Sequence, residues 1–205
     1  MRIDPAATPA SDISRLMIRT ILPRPIAWIS TVSADGVRNI APFSFFMGIT
    51  SEPPSVCFAP ARKSDKAKKD TLANIEETGE FVVNVVTEEL AEAMNETATD
   101  YPPEVDEFER AGLTPLASER VKPPRISESP VHMECKLVQI VPVGKAGVVV
   151  VIGEIVLFHV DEKVLRDGKV DSNLLRAVGR LGGMEYTKTQ DRFILKRKKF
   201  GRDVY

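Results

Sequence analysis

The sequence predicts a mainly β protein: a closed or nearly closed antiparallel β-barrel with small peripheral helices. About six stretches rich in β-branched and aromatic residues run through it, at 26–32, 37–49, 55–59, 81–86, 131–143 and 148–160, and such runs read as strands. Short turn signals join neighbours among them. Asp35-Gly36 suits the positive φ of a tight hairpin, and Gly144-Lys145-Ala146-Gly147 separates two long runs, so partners should be antiparallel. No alternation of strands with helices of about ten to fifteen residues supports a doubly wound sheet.

Taken in order, Ile13, Leu16, Met17, Thr20 and Ile21 recur at helical spacing and predict a short helix before the turn at Pro23-Arg24-Pro25. Ile26–Val32 is the first strand, and Val37–Ala41 returns from the hairpin. Pro42, which cannot donate to a ladder, marks an edge, bulge or bend before Phe43–Ile49. Ser55–Ala59 is a further strand. A basic loop follows, with Arg62, Lys63, Lys66, Lys68 and Lys69, and Asp70-Thr71 opens a helix that Gly79 ends. Phe81–Val86 reads as a strand buried on both faces. Helices are expected over Glu88–Thr97, Glu104–Ala111 and Leu174–Val178. Six prolines between 102 and 130 make 98–130 an irregular arm; long loops of this kind tend to be functional or to cover a partner.

At 205 residues, with about 100–200 residues per domain, the chain reads as a single domain over 1–205. Its core covers about 15–190, and the arm 98–130 is inserted in it. Hydrophobic residues make up 43% and charged residues 28%, which excludes a disordered or fibrous chain. A net charge of −1 gives no global positive field for nucleic acid. Cys57 and Cys135 lie far apart in apolar stretches, so a disulfide framework is excluded, and no pair has metal-ligand spacing. His132 and His159 sit in strand-like runs with no nucleophile motif beside them. A triad assembled in space stays open, since sequence distance does not exclude it. No apolar run approaches the roughly 18 residues of a membrane span or a secretory signal. The expected location is the cytoplasm, with no membrane partner.

Four segments have residues suited to chemistry. Arg62, Lys63, Lys69, Asp70 and Thr71 combine cations with a helix start, where unpaired amides and the dipole favour a phosphate; a solvated loop with Asp70 as an ordinary N-cap explains the same residues. Pro42-Phe43-Ser44-Phe45-Phe46 could show backbone N–H groups to a flat heteroaromatic ligand, or be core. The hydroxyls of Ser30 and Thr31 beside Trp28 either face a ligand or pair across strands. Gly179-Arg180-Leu181-Gly182-Gly183-Met184-Glu185-Tyr186 places an arginine and a tyrosine around a flexible turn, or stops a helix. None of these is a P-loop or a dinucleotide fingerprint.

In their order, Arg24–Thr31, Asp35-Gly36, Asn39-Ile40-Ala41-Pro42-Phe43-Ser44, Pro53-Pro54, Lys69-Asp70-Thr71 and Glu80–Asn84 resemble the flavin reductase-like proteins. The resemblance covers roughly residues 15–190, and its branch is that of flavoredoxin and the reductase components of flavin-dependent monooxygenases. It implies a six-stranded antiparallel FMN-binding split barrel, a homodimer, FMN near the dimer interface and NAD(P)H as reductant. Position by position it implies that Trp28, Ser30, Thr31, Ser44, Phe45 and Phe46 line the flavin, that the stretch from Arg62 to Thr71 holds the phosphate, and that Arg180 lies near the cofactor. No residue is singled out for catalysis and no metal is implied. The reductase components often carry a C-terminal histidine near the nicotinamide; none follows His159 here. The acceptor is a small molecule or a protein. An FMN-binding electron carrier without its own NAD(P)H site is the alternative.

Overall fold

The computed structural model describes residues 1–61, 68–144, 147–196, 198–199 and 202–203. Its main sheet is built from β1 (Ala27–Val32), β2 (Arg38–Phe43), β3 (Phe46–Ser51), β4 (Pro54–Phe58), β5 (Glu80–Val85), β6 (Val131–Val143) and β7 (Val148–Val160). The order is β2-β1-β5-β6-β7-β4-β3, antiparallel throughout. β2 and β3 are its two edges, yet only Ser44 and Phe45 separate them in the chain. Three Cα steps span at most roughly 11 Å, so the sheet has to curl until its edges nearly meet. No ladder joins them among the described residues, and the barrel stays split along that line.

Six expected strands become seven because the 37–49 stretch breaks at Ser44-Phe45. The break falls two residues after Pro42, which stays in register opposite Trp28. An edge strand tolerates a proline since one side of it has no ladder to complete.

Period-2 alternation places two cores on the two faces of the sheet. Ala27, Ile29, Phe43, Phe58, Phe81, Val83 and Val151 fill the barrel. Ile26, Trp28, Ile40, Met94, Phe108 and Ile126 pack outside it. Within the barrel, Gly153 on β7 makes room for the Phe81 ring; a Cβ there would lie 2.4 Å from it.

The helices are α1 (Ala10–Thr20), α2 (Asp70–Thr78), α3 (Ala91–Glu96), α4 (Glu107–Arg110) and α5 (Ser172–Leu175). Two start elsewhere than expected, and capping explains both. α4 begins after Asp106, whose side chain accepts from the N–H groups of Phe108 and Glu109. α5 begins after Asp171, which accepts from Asn173, and ends at Arg176 in the left-handed region at φ 49°. Val178, expected as the last residue of that helix, instead opens strand β8 (Val178–Arg180), paired with β9 (Tyr186–Lys188).

The arm 98–130 packs on its own sheet. Glu107 accepts from Ile40 N at 2.5 Å, covering the open edge of β2. Pro124 O accepts from Ser30 Oγ at 2.6 Å, and buried Glu134 accepts from the N–H groups of Glu119 and Arg120 at 2.9 and 2.6 Å. No helix among the described residues is long and apolar enough to cross a membrane.

Candidate functional site

Where the sheet splits, three cavities converge on Pro42 and Ser44. A helix-end cavity of about 150 Å³ lies between Asn39–Phe43, the start of α2 and residues 97–101. An inner cavity of about 280 Å³ lies between α1, Arg24, Ser44, Met94 and the Arg180–Tyr186 turn. An apolar cavity of about 310 Å³ is walled by Pro23, Phe45, Phe46, Met47 and Cys57. The first two share Pro42 and Ala98; the last two share Arg24 and Ser44.

The helix-end cavity is polar. Lys69 takes the N-cap position of α2, no side chain caps the helix there, and Lys69, Asp70 and Thr71 line the cavity together with the acids Asp100 and Glu107, so the positive end of the dipole of this nine-residue helix lies at it. Asp70 is therefore the first helical residue and not the cap. Lys69 Nζ donates to Asp100 in an ion pair. Asn39 is the hub of the wall. Its Oδ1 accepts from Thr71 Oγ1 at 2.8 Å and Thr31 Oγ1 at 3.2 Å, and its Nδ2 donates to Glu107 Oε2 at 2.5 Å.

The inner cavity is set by two arginines. Arg24 N donates to Arg180 O at 3.0 Å and Arg180 N to Arg24 O at 2.8 Å, which locks the two side by side. The Arg24 guanidinium is 5% exposed and donates to Ile18 O, Ile21 O, Leu181 O and Ser44 Oγ. Burial and the adjacent Arg180 charge pull Arg24 below its ordinary value. Arg180 lies over the Tyr186 ring, 4.4 Å from its centroid, and donates to Tyr186 Oη and Gly183 O.

The expected site residues divide accordingly. Ser44, Phe45 and Phe46 line the apolar cavity, Lys69, Asp70 and Thr71 the helix-end cavity, and Arg180 the inner one. Arg62 and Lys63 lie outside the described residues. Trp28, Ser30 and Thr31 stand behind the site with no exposed surface. Trp28 Nε1 donates to Thr97 Oγ1, Ser30 Oγ to Pro124 O, and Thr31 Oγ1 to Asn39. Their polar groups are used within the protein, so these three shape the walls. The sequence motifs contain Arg24 and Asn39 but do not assign them to the site; the available signals are an arginine between two prolines and an asparagine followed by an apolar run in β2.

The histidines belong elsewhere. His132 and His159 face each other across β6 and β7, and His159 Nε2 contacts Glu134 Oε1 at 2.6 Å. Neither lines the three cavities. Among the described residues no cluster suits a metal.

The comparisons point the same way. The flavin reductase like domain matches residues 18–180. The fold is similar to nitrilotriacetate monooxygenase component B from Bacillus cereus, 36% identical with a TM-score of 0.91, covering 95% of this chain and 98% of that one. It is similar to Pseudomonas fluorescens 2-nitrobenzoate 2-nitroreductase, 33% identical with a TM-score of 0.88, covering 98% of each. It is also similar to flavoredoxin of Desulfovibrio vulgaris, 28% identical with a TM-score of 0.76, covering 98% of this chain and all of that one. With the split sheet, the polar helix end and the aromatic cavity beside it, the match over most of the chain makes this protein a member of the flavin reductase-like family, and its activity a flavin-related oxidoreductase activity.

Proposed function

We propose that the protein is an FMN-dependent oxidoreductase that takes reducing equivalents from NAD(P)H and passes them to a small-molecule or protein acceptor. One observation carries the reading: the start of α2, with Lys69 beside it and no side-chain cap, and an aromatic-walled apolar cavity lie on either side of Pro42–Ser44. FMN has the same polarity, with a phosphate at one end and a flat ring at the other. Lys69 and the start of α2 would hold the phosphate, and Ser44, Phe45 and Phe46 the ring. A bound flavin supplies reversible hydride or electron acceptance, while the protein supplies orientation and access. Asn39 and Thr71 fix the walls through mutual hydrogen bonds, and Phe45 and Phe46 keep water from the ring. The sequence carries no second phosphate-binding fingerprint for an adenine half, which favours FMN over FAD.

A homodimer in the cytoplasm fits the surface. Edge strand β3 carries Met47 and Ile49 at 59% and 48% exposure, beside the mouth lined by Phe45, and a second copy would cover them. Cys57 and Cys135 are free thiols, in keeping with a reducing compartment. Likeness to a flavoredoxin favours a second reading, an electron carrier without an NAD(P)H site. Comparing FMN with riboflavin by fluorescence quenching tests the flavin site. Tighter binding of FMN by tenfold or more is expected; equal affinities would remove the helix end from the site.

A further inference from the structure

We infer that the inner cavity binds a second molecule, a small planar organic anion such as an aromatic carboxylate, next to the flavin. The flavin reading supplies only the neighbour; the anion site is built by this chain's own side chains. Arg24 and Arg180 bring two positive charges to one wall. Among the described residues the hydrogen-bond partners of the two guanidiniums are neutral: three carbonyls and Ser44 for Arg24, one carbonyl and the Tyr186 hydroxyl for Arg180. No acidic residue lines the cavity among the described residues. Like charges held side by side repel, and an anion between them and the cavity relieves that repulsion. A guanidinium fork also matches a carboxylate with two parallel hydrogen bonds.

The rest of the cavity selects what carries the anion. Ile26, Pro42, Met94 and the Tyr186 ring make an apolar wall that inorganic phosphate leaves unused. A neutral ring would use that wall and leave the Arg180 charge without an anionic partner; Arg24 already faces the carbonyls at the end of α1. About 280 Å³ lies at the small end of ligand pockets, suited to one substituted ring and not to a whole dinucleotide. Pro42 and Ala98 line both this space and the helix-end cavity, and Arg24 and Ser44 both this space and the apolar one, so a molecule here sits beside whatever those two hold.

The test is calorimetric titration of the FMN-loaded protein with benzoate, benzamide and inorganic phosphate. Benzoate is expected to bind at least tenfold tighter than either of the others, without displacing FMN. Arg180→Gln should lower benzoate affinity at least tenfold and leave benzamide affinity as it was, and Arg180→Lys should keep part of the preference through its charge. Benzoate that binds no better than benzamide, that displaces FMN, or that is indifferent to Arg180→Gln overturns the inference. If the protein takes up no FMN, the same titrations on the purified chain still decide it. A benzoate preference lost in Arg180→Gln would then sustain the anion site while the flavin reading fails.

Discussion

Replacing Asp100 with asparagine is expected to tighten FMN binding. The Lys69 ammonium is paired with Asp100 at the helix-end cavity, with the two side chains 21% and 36% exposed. A phosphate arriving at the start of α2 must draw Lys69 from that carboxylate and then lie beside its charge. A partly exposed pair contributes about 0–1 kcal/mol, and a like charge a few ångströms away in a water-rich mouth costs roughly 1 kcal/mol. Removing Asp100's charge should therefore lower the FMN Kd about five- to thirtyfold. Flavin fluorescence quenching at fixed ionic strength measures it, and high salt should shrink the difference because exposed charges are screened. An unchanged or raised Kd in Asp100→Asn would refute the placement of the phosphate beside Lys69.

Lys69→Ala should weaken FMN binding by about 1–2.5 kcal/mol, a charge-assisted bond less the pair it now makes, while Lys163→Ala at an exposed pair with Asp161 should leave the Kd unchanged. Burial pushes the His132 imidazole down to about 4, with Arg125 and His159 adding to the shift and Glu134 opposing it. The unfolded chain takes up that proton below its ordinary value near 6.5, so stability present above pH 6.5 is lost as pH falls toward 4, by up to about 3 kcal/mol. Urea melts of His132→Gln across this window should show a flatter profile, and an unaltered slope would assign the effect to other groups. Gly153→Ala drives a Cβ into the Phe81 ring and should cost about 1–3 kcal/mol, read as a lower Tm. Light scattering at micromolar concentration should report a dimer, and Met47→Asp should dissociate it; a wild-type monomer would count against the covered β3 face.

The strands were legible because their side chains carry the signal. β5 is a run of β-branched and aromatic residues buried on both faces, and β1 alternates between two cores, so composition alone marks them. The break at Ser44-Phe45 was less so: Pro42 suggested an interruption, but the chain turns where the curled sheet runs out of partners, which is a tertiary fact. α4 starts later and α5 earlier than the apolar pattern suggests, because Asp106 and Asp171 are the side chains that cap them. Within the site, Lys69, Thr71 and Ser44 stood out as polar groups near a helix start or a disturbed strand. Trp28, Ser30 and Thr31 looked equally suited, and only contacts with Thr97, Pro124 and Asn39, from distant parts of the chain, show that their polar atoms are spent inside. Arg24 was hidden for the same reason, since its partners at Ile18 and Leu181 come together only when α1 and the β8–β9 turn meet.

The central claim is that a flavin held at this site is reduced by a nicotinamide nucleotide. Anaerobic titration of the FMN-loaded protein with NADH and with NADPH, followed by flavin absorbance, tests it directly. The account predicts that at least one nucleotide bleaches the flavin band stoichiometrically within minutes. A band that neither nucleotide changes and that dithionite bleaches would contradict it, and would leave the protein an electron carrier.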